Sequence, residues 1–148
     1  VIGPRSHPDH ELREKLLLAS ILEARPDLVV LAGWLQLLPV PPELEGKVVN
    51  IHPALLPAYG GAGCYGERVH RAVAADRPPV SGCTVHFADA QYDCGPYILQ
   101  EAVPVLPGDD AAALAARVFE VEKRVLPEAL RLVLGGRAAW HPGGVVWS

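Results

Sequence analysis

The 148-residue chain is half hydrophobic and one fifth charged, which suits one soluble globular domain with one core and excludes a low-complexity or disordered class. A formal net charge of −4 argues against a broad nucleic-acid surface but allows a small local anion site. No apolar run reaches the roughly 20 residues of a bilayer-spanning helix, and the start, Val1-Ile2-Gly3-Pro4-Arg5, lacks the basic stretch and apolar core of a signal peptide.

Ser6-His7-Pro8-Asp9 has the form of a helix start, with a Ser cap, a Pro in the first turn and an acid three residues on. Leu12, Leu16, Ala19 and Leu22 then recur at helical spacing, and Pro26 closes the helix. Two short apolar runs follow, one over residues 27–33 and one over residues 47–52, both of buried-strand type. A short helix is predicted from Gly66 to Asp76, a third strand from Gly82 to Phe87 and a fourth from Tyr97 to Val105. Asp109 is predicted to cap a long helix that runs to Gly135-Gly136 and is kinked at Pro127. The tail from Trp140 to Trp147 has a Pro142-Gly143-Gly144 turn and reads as a hairpin. Strands alternating with helices predict an α/β fold, with a mostly parallel sheet flanked by helices. In such a sheet ligands bind beyond the carboxyl ends of the strands, here Gly33-Trp34, His52-Pro53 and Phe87-Ala88.

Asn50 and His52 stand two apart at the end of a strand, so the amide and the imidazole project from the same face while Val49 and Ile51 point into packing. Pro53 stops the strand where a ligand would sit, and Pro53 and Pro57 stiffen the exit loop between them. The spacing alone is equally met by a strand end reaching solvent. His86 shares a face with Thr84 and reads as a hydrogen-bonded core histidine. Asp93 lies before Cys94-Gly95-Pro96, where an acid often serves only to form a turn. Cys64, Cys83 and Cys94 are an odd set with no C-x-x-C pair and read as free thiols of a reducing cytoplasm. Gly61-Ala62-Gly63-Cys64-Tyr65-Gly66 matches G-x-G-x-x-G, but Pro57 breaks the strand that a dinucleotide fingerprint requires before it. His7 and His10 have no third metal ligand nearby, and the chain has no G-x-S-x-G elbow and no P-loop.

The stretch Asn50-Ile51-His52-Pro53-Ala54-Leu55-Leu56-Pro57 resembles the signature of the 10-formyltetrahydrofolate-dependent formyltransferases. The resemblance continues through Gly82-Cys83-Thr84-Val85-His86-Phe87, Asp93-Cys94-Gly95-Pro96-Tyr97-Ile98-Leu99-Gln100, Val103-Pro104-Val105 and Arg117-Val118 to Glu122. Within the family it is nearest to the members that formylate glycinamide ribonucleotide in de novo purine synthesis. It implies a catalytic triad of Asn50, His52 and Asp93. It places the folate beside Trp34, Leu35, Gln36, Leu37 and Leu38, and against a loop of Ala88, Asp89, Ala90, Gln91 and Tyr92. It puts Glu122 near the ribose hydroxyls, with Pro53, Gly60 and Gly61 along the ribonucleotide.

The implied enzyme is a cytoplasmic transferase of one-carbon metabolism. Formylfolate and glycinamide ribonucleotide are its small-molecule partners, with no metal, nucleic acid or membrane, and a homodimer is allowed. Two departures stand out: Gln36 replaces an arginine common in the family, and the family's first βα unit, with its glycine-rich phosphate loop, is not in this chain. Residues 1–148 are therefore expected to form a single formyltransferase-like domain, the C-terminal catalytic part of the fold. The rival readings are a formyltetrahydrofolate hydrolase, in which water replaces the amine, and a folate-binding remnant without turnover.

Overall fold

The computed structural model of the protein describes residues 9–148. The first helix, α1 (His10–Ala24), is capped by Asp9, whose carboxylate accepts from the Leu12 N–H at 2.9 Å. The expected Ser6 cap lies outside the described residues. The helix stops where Arg25 turns left-handed, φ 46°, just before Pro26, which disfavours helical geometry in its predecessor.

Four strands form one sheet in the order β1 (Val29–Leu31), β2 (Val48–His52), β3 (Val80–Phe87) and β4 (Tyr97–Pro104). β1 and β2 are parallel, whereas β2–β3 and β3–β4 are antiparallel. The α/β layering is as expected, but the sheet is mixed rather than mostly parallel. The reason is connectivity: residues 53–79, which include α2 (Glu67–Asp76), leave and re-enter at the same end of the sheet, so β3 runs back along β2. A continuous apolar run marks a strand covered on both faces, and an antiparallel strand covered on both faces carries the same run. One consequence corrects the expected geometry of the strand ends. His52-Pro53 does lie at the β2 exit, but Phe87 pairs with Val49, so Phe87-Ala88 sits beside the start of β2.

The long helix α3 (Ala111–Leu134) buries Leu114, Val118, Val121, Val125, Ala129 and Leu132, a stripe at helical spacing. These pack with Val49, Ile51, Cys83, Val85 and Phe87 of the sheet into the main core. The cap is Asp110, which accepts from the Ala113 N–H at 2.8 Å, and not Asp109. Asp109 is held in the preceding turn, where it takes the Leu106 N–H at 2.7 Å and the Arg117 guanidinium. Pro127 sits within α3, which continues past it to Leu134. A second cluster, Leu38, Leu44 and Val48, packs against Leu17, Leu18 and Ile21 of α1. The tail forms the expected hairpin, β5 (Ala138–His141) with β6 (Gly144–Trp147).

Candidate active site

The pleat of the sheet sorts polar from apolar side chains. Asn50 pairs with His86, His52 with Thr84, and Thr84 with Gln100. These alternate positions share one face, so the sheet carries a polar row opposite the face of Val49, Ile51 and Val85. The inner part of the row fixes the loop that leaves β2. Thr84 Oγ1 donates to the Ala54 carbonyl at 2.7 Å and accepts from the Leu56 N–H at 3.0 Å. Gln100 Nε2 donates to the Leu56 carbonyl at 2.9 Å and to Thr84 Oγ1 at 2.8 Å.

The outer part of the row carries the candidate residues Asn50 and His52, with His86. Asp93 is brought over it by the turn between β3 and β4, with a left-handed backbone, φ 56°, a conformation that Asp tolerates better than most residues. Its Oδ2 lies 3.4 Å from His52 Nδ1, and its Oδ1 lies 3.6 Å from His86 Nε2. The Gly61 N–H donates to Oδ2 at 2.9 Å. Gly95 lets this turn close: a Cβ there would stand 1.8 Å from the Phe87 carbonyl oxygen. Asn50, His52 and Asp93 thus converge.

The protonation states follow from the contacts. Asn50 Nδ2 lies 3.1 Å from His86 Nε2. An amide nitrogen can only donate, so His86 Nε2 accepts and its ring proton sits on Nδ1, where it reaches the Phe87 carbonyl at 2.8 Å. His86 therefore orients the Asn50 amide and leaves the second amide N–H free. His52 is 4% exposed, and burial lowers its pKa below 6.5 although Asp93 and the Tyr59 carbonyl both pull it up. The neutral ring donates from Nε2 to the Tyr59 carbonyl at 2.8 Å, which leaves the Nδ1 lone pair beside Asp93. Burial pushes the Asp93 carboxyl up, yet it is held below its ordinary value, with the Gly61 N–H donating to it in the resting site. The resting site is thus a neutral imidazole beside a carboxylate, able to take a proton at Nδ1 and to stabilise it there.

These groups open on a cavity of about 580 Å³, within the usual range for a small-molecule site. One wall is Trp34, Leu35, Gln36, Leu37 and Leu38 with Ala88, Asp89, Gln91 and Tyr92. The Leu37 N–H donates to the Tyr92 hydroxyl at 2.9 Å and ties its two halves together. The other wall is Pro53, Gly61, Cys64, Tyr65, His70 and, from α3, Phe119, Glu122 and Lys123. Burial raises the Glu122 carboxyl pKa. Of the anticipated residues, Ala90 and Gly60 do not line the cavity: Ala90 is exposed on its loop, and Gly60 is packed where a Cβ would stand 2.5 Å from Leu56 Cδ2. Sequence reasoning assigned no role to His70, to the Tyr59 carbonyl or to the pairing of His86 with Asn50. Only His86 had left a signal, its shared face with Thr84. Among the described residues no group of three or more His, Cys, Asp or Glu side chains is placed to hold a metal ion, and no helix is long and apolar enough to cross a membrane.

Comparison with known proteins identifies the family. The family described as Formyl transferase matches residues 4–130. A chloroplastic phosphoribosylglycinamide formyltransferase of Vigna unguiculata is 46% identical over 123 residues, covering 80% of this chain and 39% of the relative. Glycinamide ribonucleotide transformylase 1 from Symbiobacterium toebii superposes with a TM-score of 0.83 at 37% identity, covering 98% of this chain and 67% of that one. A formyltetrahydrofolate deformylase from Pseudomonas syringae superposes with a TM-score of 0.81 at 29% identity, covering 99% of this chain and 47% of that one. The chain thus spans about two fifths of the length of the plant relative it matches.

Proposed function

The chain belongs to the formyl transferase family, and from that premise we propose that it transfers a formyl group from 10-formyltetrahydrofolate to the amine of glycinamide ribonucleotide in purine synthesis. The observation that carries the reading is the convergence of Asn50, His52 and Asp93 between two unlike walls of one cavity. The apolar wall of Trp34, Leu35, Leu37 and Leu38 suits a flat folate ring, with Gln36 and the 88–92 loop offering polar groups to its edge. The wall with Pro53, Gly61 and Glu122 suits a ribonucleotide. The volume admits parts of both.

The folate supplies the formyl carbon. Asn50, aimed by His86, donates its free N–H to the formyl oxygen as that oxygen gains charge, an effect typically worth about 3–4 kcal/mol of barrier. His52 Nδ1 accepts the proton lost by the attacking amine and returns it to the departing folate nitrogen. Asp93 stabilises the ring while it is charged. No covalent intermediate is needed. Cys83, the buried thiol of the core, has its pKa pushed up to about 12, a value that leaves it unreactive. The three thiols are unpaired, which favours a reducing compartment such as the cytoplasm.

The resemblance to a deformylase at a TM-score of 0.81 supports a second reading, hydrolysis with water in place of the amine. The deciding experiment follows consumption of formyltetrahydrofolate with and without glycinamide ribonucleotide. Consumption that requires the amine and yields its formyl derivative is expected. Equal consumption in buffer alone would overturn the transferase reading.

A further inference from the structure

His70 stands at the cavity with no role in the chemistry above. It projects from α2, is 7% exposed and lines the wall that carries Pro53 and Gly61. Its Nδ1 is sealed from solvent without a hydrogen-bond partner, so the ring meets the cavity at its other edge, which carries Nε2. Among the described residues that nitrogen has no hydrogen-bond partner. Burial lowers the pKa of the ring, and the neighbouring His52 lowers it further. The ring is therefore neutral, with one proton to place. A sealed, unpaired N–H is the rarer and costlier defect. The proton accordingly sits on Nε2, and Nδ1 keeps the lone pair.

A neutral N–H aimed into a cavity calls for an acceptor oxygen. A phosphate dianion is met by several converging donors rather than by one. The ribose hydroxyls have a better counterpart in Glu122, an acceptor on the same wall. His70 and His52 line the same cavity, and His52 is close enough to disfavour charge on the His70 ring, which puts the His70 N–H near the reacting amine rather than at the far end of the substrate. Resting on the function proposed above, we infer that His70 Nε2–H binds the amide carbonyl of the glycinamide group and so sets the approach of the adjacent amine to Asn50 and His52. His70 would then be a specificity residue for the acceptor. An acceptor without that carbonyl, or a water molecule, leaves the donor unmatched, and an unmatched buried donor costs affinity.

The test compares His70→Gln, His70→Asn and His70→Ala in the full chain by steady-state kinetics, folate-analogue titration and thermal unfolding. A Gln amide N–H reaches roughly the position of Nε2, whereas an Asn amide falls short near Nδ1. The Ala and Asn variants are expected to raise KM for glycinamide ribonucleotide about tenfold, the worth of one such bond. Their kcat should change less and their folate affinity not at all. His70→Gln is expected to recover most of the loss. A merely structural role would not distinguish Gln from Asn in KM at equal thermal midpoints, and that result overturns the inference, as does an unchanged KM in His70→Ala. If His70→Ala fails to fold, the Gln and Asn pair decides. Formyl loss by the wild type without any amine overturns the transferase reading and this inference with it. An amine-dependent wild type with an indifferent His70 overturns this inference alone.

Discussion

Asp93 Oδ2 lies 3.4 Å from His52 Nδ1 while the opposite ring nitrogen of His52 is held by the Tyr59 carbonyl at 2.8 Å. The ring is thus anchored at Nε2 and keeps its Nδ1 lone pair beside the carboxylate, with burial holding it neutral at rest. Removing the carboxylate removes one of the pulls that raise its pKa. In Asp93→Asn the His52 imidazole should therefore titrate at a still lower pH, read from its carbon-bound protons by NMR. Turnover of Asp93→Ala and of His52→Ala should each fall at least about 100-fold, with folate binding much less affected, because both act on the transition state. Near-normal turnover in His52→Ala would remove it from the mechanism.

Asn50 is aimed by His86. Asn50→Ala should lose about 100- to 1000-fold in kcat, as for other oxyanion donors. His86→Phe keeps the ring but not the acceptor, so the amide is no longer oriented. Its kcat should fall about tenfold or more with folate affinity unchanged. Equal kcat for His86→Phe and wild type would show that the amide needs no partner to stay in place.

The Arg117 guanidinium, with the Leu106 N–H, holds the Asp109 carboxyl down to about 2 from 3.8. A depressed carboxylate favours the folded state above its unfolded pKa, and the benefit is lost as pH falls through the folded value. Wild-type stability should therefore fall between about pH 4 and pH 2 more steeply than that of Arg117→Gln, which lacks the guanidinium's share and keeps only that of the Leu106 N–H. Urea titrations at several pH values would show it, and parallel pH profiles would contradict it.

Gln36 lines the wall proposed for the folate. Arg there would add charge and a rigid five-donor fork in place of a neutral amide. Gln36→Arg should tighten binding of a folate analogue modestly or leave it unchanged. A tenfold loss in a calorimetric titration would mean that Gln36 makes a specific contact of its own.

A methyl group at Gly95 would overlap the Phe87 carbonyl, which is backbone and cannot swing aside. Gly95→Ala should destabilise the fold by about 1–3 kcal/mol in urea unfolding and lower turnover as well, since the displaced turn carries Asp93. Full activity at wild-type stability would show that the turn has room to shift.

The sequence made the elements legible because each has a local signature: the helical stripe from Leu114 to Leu132, the apolar strands, the glycine turn of the last hairpin. It also exposed Asn50 and His52, since a period of two places both on one face whatever the sheet around them. Strand direction was not legible. Val80–Phe87 is covered on both faces, and nothing in its composition records which way it runs. Asp93 looked like a turn former because its importance lies in contacts 32 and 41 residues away, with Gly61 and His52. The Tyr59 carbonyl belongs to the backbone and carries no residue code at all.

That last contact has an evolutionary consequence. The group anchoring the His52 imidazole is a peptide oxygen in the segment that also lines the cavity through Gly61 and Cys64. No side-chain substitution at position 59 deletes it. A one-residue insertion or deletion between Pro57 and Gly66 would move it. Segment length therefore re-aims the His52 ring and reshapes the cavity in one event, while Asn50, His52 and Asp93 stay as they are. A change of that kind alters what the cavity can admit without touching the three residues that converge on it.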